Sequence, residues 1–151
     1  MQTGWSDLVG VAAIGVTRDG TRLLVYGRTA AAPALRVYGV VRDASTGRPL
    51  SLSEQFFPLV PAEGAPISAT WVDETTVATL AGSATGDSRV TTQVVGGTSE
   101  QLSRLEPATT LVGANGASGL RALTDSGELR ALRGAGWQIV ARNVEYVANQ
   151  R

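Results

Sequence analysis

Residues 16–27 read VTRDGTRLLVYG. An apolar run ends at Val16, a polar Asp19-Gly20 step comes next, and a second apolar run begins at Leu23. Asp-Gly between two apolar runs is the chemistry of a tight hairpin turn, because glycine and aspartate tolerate the backbone angles such a turn needs. One hairpin does not define a fold. What decides it is whether the pattern recurs.

It recurs twice. In residues 69–82, ATWVDETTVATLAG, Asp73 lies over Asp19, Val77 over Leu23, and Gly82 falls near Gly27. In residues 111–127, LVGANGASGLRALTDSG, Leu120 lies over Val77. The segment after each copy repeats as well. The first continues with ALRVYGVVR (34–42) and SLSEQFFPLV (51–60), the second with SRVTTQVVGG (88–97) and SEQLSRLEP (99–107), and the third with GELRALRG (127–134) and GWQIVARN (136–143). Each copy thus holds about four short strands. The units run over roughly 10–60, 61–106 and 107–142. A four-stranded repeat of roughly 40–50 residues is the period of a propeller blade. The expected fold is all-β, a partial β-propeller of about three four-stranded blades, with a β-sandwich as the alternative.

The composition agrees with this. Apolar runs are short and rich in β-branched residues, and 18 glycines fall among the turns. No stretch holds a helical period over three turns; SEQLSRLEP could make one helical turn, which Pro107 would stop. Small residues in VAAIGV (11–16), PISATW (66–71) and TTLVGA (109–114) suit the crowded strand nearest a propeller axis. Trp71 reads as a packing residue between blades, Trp137 likewise, and Trp5 precedes the first repeat.

Several function classes are disfavoured by what the 151 residues lack. There is no histidine and no cysteine. The commonest zinc and iron–sulfur ligands are therefore missing, and so are Ser-His-Asp and Cys-His catalysis. Thirteen acidic and 13 basic residues balance to zero net charge, and the arginines are scattered, so no nucleic-acid-binding stripe emerges. Asp73 and Glu74 are adjacent and on a strand would point to opposite faces, which spoils them as a catalytic pair. VGGT and GANGASG lack the lysine and helix of a phosphate loop. No run nears the roughly 18 apolar residues of a membrane span. The expectation is a non-enzyme with no cofactor, no metal and no nucleic-acid partner. The weak candidates for a protein-binding surface are Arg121, Arg130, Arg133 and Trp137. Three blades cannot close a ring, so bare terminal faces lead us to expect a dimer or higher oligomer.

The stretches TRDGTRLLVYG (17–27), ATWVDETTVATLAG (69–82) and LRALTDSGELRALRGAGWQIVARNVEYV (120–147) together resemble the C-terminal propeller region of the actinobacterial LpqB lipoproteins. The resemblance covers most of the chain and rests on order and pattern. It implies an extracytoplasmic domain held at the cell membrane by a lipid on an N-terminal cysteine, which this chain does not contain. It further implies a protein partner, the extracellular domain of a two-component sensor kinase. The alternative reading is a carbohydrate-binding envelope domain or an inactive sialidase-like propeller, although the S-x-D-x-G-x-x-W turn of sialidases does not occur here.

Overall fold

The computed structural model describes residues 5–113 and 116–148. Its first sheet comprises β1 (Leu8–Val16), β2 (Arg22–Thr29), β3 (Pro33–Arg42) and β4 (Pro49–Leu59). The second comprises β5 (Ala65–Trp71), β6 (Thr76–Gly82), β7 (Ser88–Val94) and β8 (Ser99–Gln101). The third comprises β9 (Ala108–Val112), β10 (Arg121–Thr124), β11 (Leu129–Arg133) and β12 (Gly136–Ala141). Within each sheet the strands lie in chain order and pair antiparallel, so every sheet is a four-stranded meander. The first strands gather together, β1 against β5 and β5 against β9.

The turns form where local chemistry demands them. At Asp19-Gly20 the Asp19 carboxylate accepts from the Thr17 hydroxyl (2.7 Å), the Thr21 amide (2.9 Å) and the Thr21 hydroxyl (2.8 Å). Gly20 itself has φ 70°, the left-handed region that favours glycine. Asp73 caps the β5–β6 turn in the same way, accepting from the amides of Thr75 (2.8 Å) and Thr76 (2.7 Å). Asp73 and Glu74 therefore lie in a turn, as the alignment of Asp73 with Asp19 implies. The Asp125-Ser126-Gly127 step makes the β10–β11 hairpin, with Gly127 N–H donating to the Thr124 carbonyl.

Two cores hold the sheets face to face. Between the first and second sheets lie Leu24, Tyr26, Leu35, Val37, Leu59, Ala69, Trp71 and Val77. Between the second and third lie Ala78, Leu80, Val90, Leu105, Leu111, Leu120, Ala122 and Leu132, with Trp137 packed at the margin. Val77 and Ala78 are neighbours on β6 yet belong to different cores, because successive strand residues point to opposite faces. The second sheet is thus covered on both sides, which is why TVATLAG (76–82) reads as a small, almost wholly apolar run. A two-layer sandwich has no such middle layer; the arrangement is that of successive propeller blades.

SEQLSRLEP supplies the fourth strand of the second unit and not the helical turn its composition would allow: residues 99–101 form β8, and the Ser88–Leu105 bridge extends the pairing, because Leu105 is drawn into the core beside Val90. One expectation needs correction. In the third unit the first hairpin is not tight. Residues 113–120 separate β9 from β10 and include a 3-10 turn at Ala117–Gly119; Ala114 and Asn115 of this loop lie outside the described residues. The connection starts at Gly113, where any Cβ would run into the Trp71 carbonyl oxygen.

Candidate partner-binding surface

The four candidate residues all lie on the third sheet, and register divides them. Arg121 pairs with Ala131 across β10–β11, and Arg133 lies two residues beyond Ala131, so both arginines project from one face. Arg130 pairs with Ala122, and Leu132 pairs with Trp137, so Arg130 and Trp137 belong to the opposite face, the one packed on the second sheet. The four do not form one continuous surface.

Arg130 and Trp137 are engaged inside the molecule. The Arg130 guanidinium contacts Glu128 (2.7 Å) and Glu106 (2.9 Å), and Glu128 also takes the Arg142 guanidinium at 3.2 Å. Arg130 and then Arg142 hold the Glu128 carboxyl below its ordinary range. The Trp137 indole N–H donates to the Ser103 carbonyl (3.0 Å), and the Ser103 hydroxyl donates to the Ala135 carbonyl. These bonds stitch the end of β8 to the β11–β12 turn, so Trp137 joins two blades.

Arg121 and Arg133 are bound differently. Arg121 Nη1 donates to the carbonyls of Ser118 (2.9 Å) and Leu120 (3.0 Å), and Arg133 Nη1 donates to the Ser118 carbonyl at 3.4 Å. Among the described residues neither arginine has a carboxylate partner within salt-bridge distance. Two positive charges thus share one carbonyl on the outward face of the last sheet. Nothing in the local sequence signals this sharing, because it depends on the 3-10 turn bringing Ser118 beneath both strands.

Several carboxylates are committed to turns and ion pairs. Asp43 accepts from Ser45 (amide 2.9 Å, hydroxyl 2.6 Å) and Thr46 (amide 2.7 Å, hydroxyl 2.9 Å). These donors, the Ser45 hydroxyl foremost, hold its pKa at about 2. Asp19 lies at about 2 as well, chiefly through the Thr17 hydroxyl. For Asp73, desolvation pushes upward, but the bonds from Thr75 and Thr76 outweigh it and the net direction is down. Asp7 is lowered by Arg36, to which it makes a two-pronged pair at 2.7 and 2.6 Å. A general acid near neutral pH needs the opposite shift. Among the described residues no group of three His, Cys, Asp or Glu is placed to hold a metal. A shallow hollow of ≈ 270 Å³ between the first and second sheets is lined by Arg28, Ala31, Ala32, Pro33, Gly64, Ala65 and Pro66, with one charge and no carboxylate or hydroxyl side chain.

The fold and this surface define a class: a propeller-type meander of β-blades whose polar groups serve turns and blade seams. The family of the lipoprotein LpqB β-propeller domain matches residues 2–147, and the chain belongs to it. No curated protein matches the chain.

Proposed function

We propose that this domain is a non-enzymatic protein-binding propeller of a cell-envelope lipoprotein, extracytoplasmic and lipid-anchored, and that it serves a two-component sensor kinase by binding its extracellular domain. Membership of the LpqB propeller family supports the envelope setting. The observation that carries the binding role is the Arg121–Arg133 face, where two guanidiniums share the Ser118 carbonyl without a carboxylate. Such a face suits an acidic protein surface, since arginine forks to carboxylates and is enriched at interface hot spots.

The test is biolayer interferometry between this domain and the extracellular domain of the sensor kinase from the same organism. Binding that is lost in an Arg121→Glu/Arg133→Glu variant, and weakened by salt, is the expected result. No binding by the unaltered domain, or equal binding by the variant, overturns the proposal. A glycan array run alongside, with hits at the same face, would favour the carbohydrate-binding alternative.

A further inference from the structure

β2 carries a guanidinium into the seam between the first two sheets. Leu24, Tyr26 and Arg28 fall on alternate positions of the strand, so Arg28 projects from the face whose Leu24 and Tyr26 pack against the second sheet. Its aliphatic stem lies over Gly10, where an added Cβ would stand 3.5 Å from the Arg28 Cγ. Past Tyr26 the packed core gives way to the hollow of ≈ 270 Å³, whose walls are the β2–β3 turn and the start of β5.

Both walls are fixed by local bonding. At the β2–β3 turn the Thr29 hydroxyl accepts from the amides of Ala31 (3.3 Å) and Ala32 (3.2 Å), and the Thr29 amide donates to the Ala32 carbonyl (2.8 Å). These backbone groups are satisfied within the turn, and the Ala31 and Ala32 methyls are left to line the hollow. On the β5 side, Gly64 has φ 108° and lies so close to β6 that a Cβ would stand 2.0 Å from the Gly82 carbonyl oxygen, so no larger residue fits there without moving the wall. Pro66 beside it has no amide hydrogen. Arg28 is the one charge in the lining. Among the described residues no carboxylate lies within salt-bridge distance of it, and the carboxylate of Glu63, the residue before Gly64, is taken by Arg89 at 2.6 Å.

We propose that this hollow binds a small aliphatic carboxylate, with the Arg28 guanidinium forking to the carboxylate and the aliphatic group resting on Ala32 and Pro66. A carboxylate replaces the water around an exposed guanidinium with two parallel charge-assisted hydrogen bonds. The methyl and prolyl walls add apolar contact only when the ligand carries its aliphatic group within a bond or two of that carboxylate. A phosphate would meet the charge and leave the walls wet, whereas a hydrocarbon would fill the walls and strip water from the guanidinium without replacing it. The hollow is smaller than the roughly 300–1,000 Å³ of drug-sized pockets, so its occupant is no larger than one or two small residues. The last residue of a peptide chain and a free small acid both offer this chemistry. The turn and the Gly64 wall are held in place beforehand, so binding orders little beyond the Arg28 side chain. A single ion pair in an open site gives a Kd on the order of 1 mM. This site is separate from the Arg121–Arg133 face, which belongs to the third sheet.

Heteronuclear NMR titration of the isotope-labelled full chain tests this, with N-acetyl-L-alanine, its uncharged amide and N-acetyl-trialanine as probes. The acid should shift the amides of Ala31, Gly64 and Ala65 and saturate with a Kd on the order of 1 mM, and its amide should bind at least tenfold more weakly. Arg28→Gln should weaken binding of the acid at least tenfold, and Arg28→Lys by less, because lysine keeps the charge and loses the fork. Ala32→Leu, at an exposed position, fills the hollow with Arg28 intact and should abolish binding. Arg121→Gln, on the third sheet, should leave it unchanged. Trialanine binding tighter than acetylalanine by tenfold or more assigns the site to peptide C-termini, and a smaller difference assigns it to free small acids; either supports the proposal. No saturable shift up to about 50 mM acid, equal binding of acid and amide, or unchanged binding by a natively folded Arg28→Gln or Ala32→Leu variant overturns it.

Discussion

The indole N–H of Trp71 donates to the carbonyl oxygen of Gly15 at 3.1 Å, tying the last residue of β5 to the end of β1 in the neighbouring sheet. A Cβ at Gly15 would lie 3.5 Å from the indole Cδ1, an ordinary van der Waals contact, so the ring packs flush on this part of β1. Trp71 is 8% exposed and belongs to the core between the first two sheets. Replacing it by alanine removes the largest side chain of that core together with its hydrogen bond. The expected cost of Trp71→Ala is about 3–5 kcal/mol. Urea unfolding measures it, and a loss below about 1 kcal/mol would show that the seam does not depend on the indole.

Tyr26 sits in the same core, fully buried, and its hydroxyl has no hydrogen-bond partner among the described residues. Burial pushes its pKa up to about 12. An unsatisfied buried hydroxyl costs roughly 1–3 kcal/mol of desolvation, so Tyr26→Phe should leave stability unchanged or raise it by about 1 kcal/mol. The linkage is that of an acid with a raised folded-state pKa. Stability contributed by keeping the phenol protonated is full below about pH 10 and falls as the pH rises towards 12. Thermal melts at neutral and alkaline pH, on the tyrosine and phenylalanine forms, check both statements. Marked destabilisation by Tyr26→Phe at neutral pH would mean the hydroxyl does have a partner.

Acid should weaken the domain in a defined window. Asp19 and Asp43 both titrate at about 2, against an ordinary 3.8. A lowered folded-state pKa means the unfolded chain takes up protons first as the pH drops. The stability these carboxylates contribute is complete above about pH 4 and is lost as the pH falls to about 2. Asp7, Asp73 and Glu128 shift in the same direction and add to the slope. Urea midpoints across pH 2 to 7 should be flat at the top and fall steeply below about 4. Asp43→Asn should flatten part of that fall, because its turn bonds would no longer titrate. A slope identical to the unaltered protein would remove Asp43 from the account.

Much of the architecture was legible because its causes are local. Asp19-Gly20 declares its turn through the Asp19 carboxylate, and Gly20 and Gly127 both take the positive φ that their turns need, all within a few residues. Alternation and β-branching mark the strands between them, and the recurrence of the unit indicates blades instead of a sandwich. The resemblance to the LpqB propeller was readable for the same reason, since it rests on the order of these local units. SEQLSRLEP is a strand by its place in the repeat more than by its own pattern, because β8 is held by partners far away in sequence: Thr92 pairs with Glu100, and Ser88 with Leu105.

The candidate surface was much less legible. Arg121, Arg130, Arg133 and Trp137 look alike as exposed features of one unit, but cross-strand pairing sends two of them to each face. The register shift beside Leu129 and Arg130 leaves no mark in the sequence. The contrast between β1 and β5 is likewise a tertiary outcome. β1 and β5 are both small-residue inner strands by sequence, yet β5 is covered on both sides while β1 presents Val9, Val11, Ile14 and Val16 to solvent. The sequence alone determined the strands, turns and repeat, because hydrophobic period and turn chemistry act over a few residues. Only the tertiary structure decided which charges lie on which face and which apolar strand is left uncovered, because burial depends on what packs across a sheet, and residues far apart in the chain supply it.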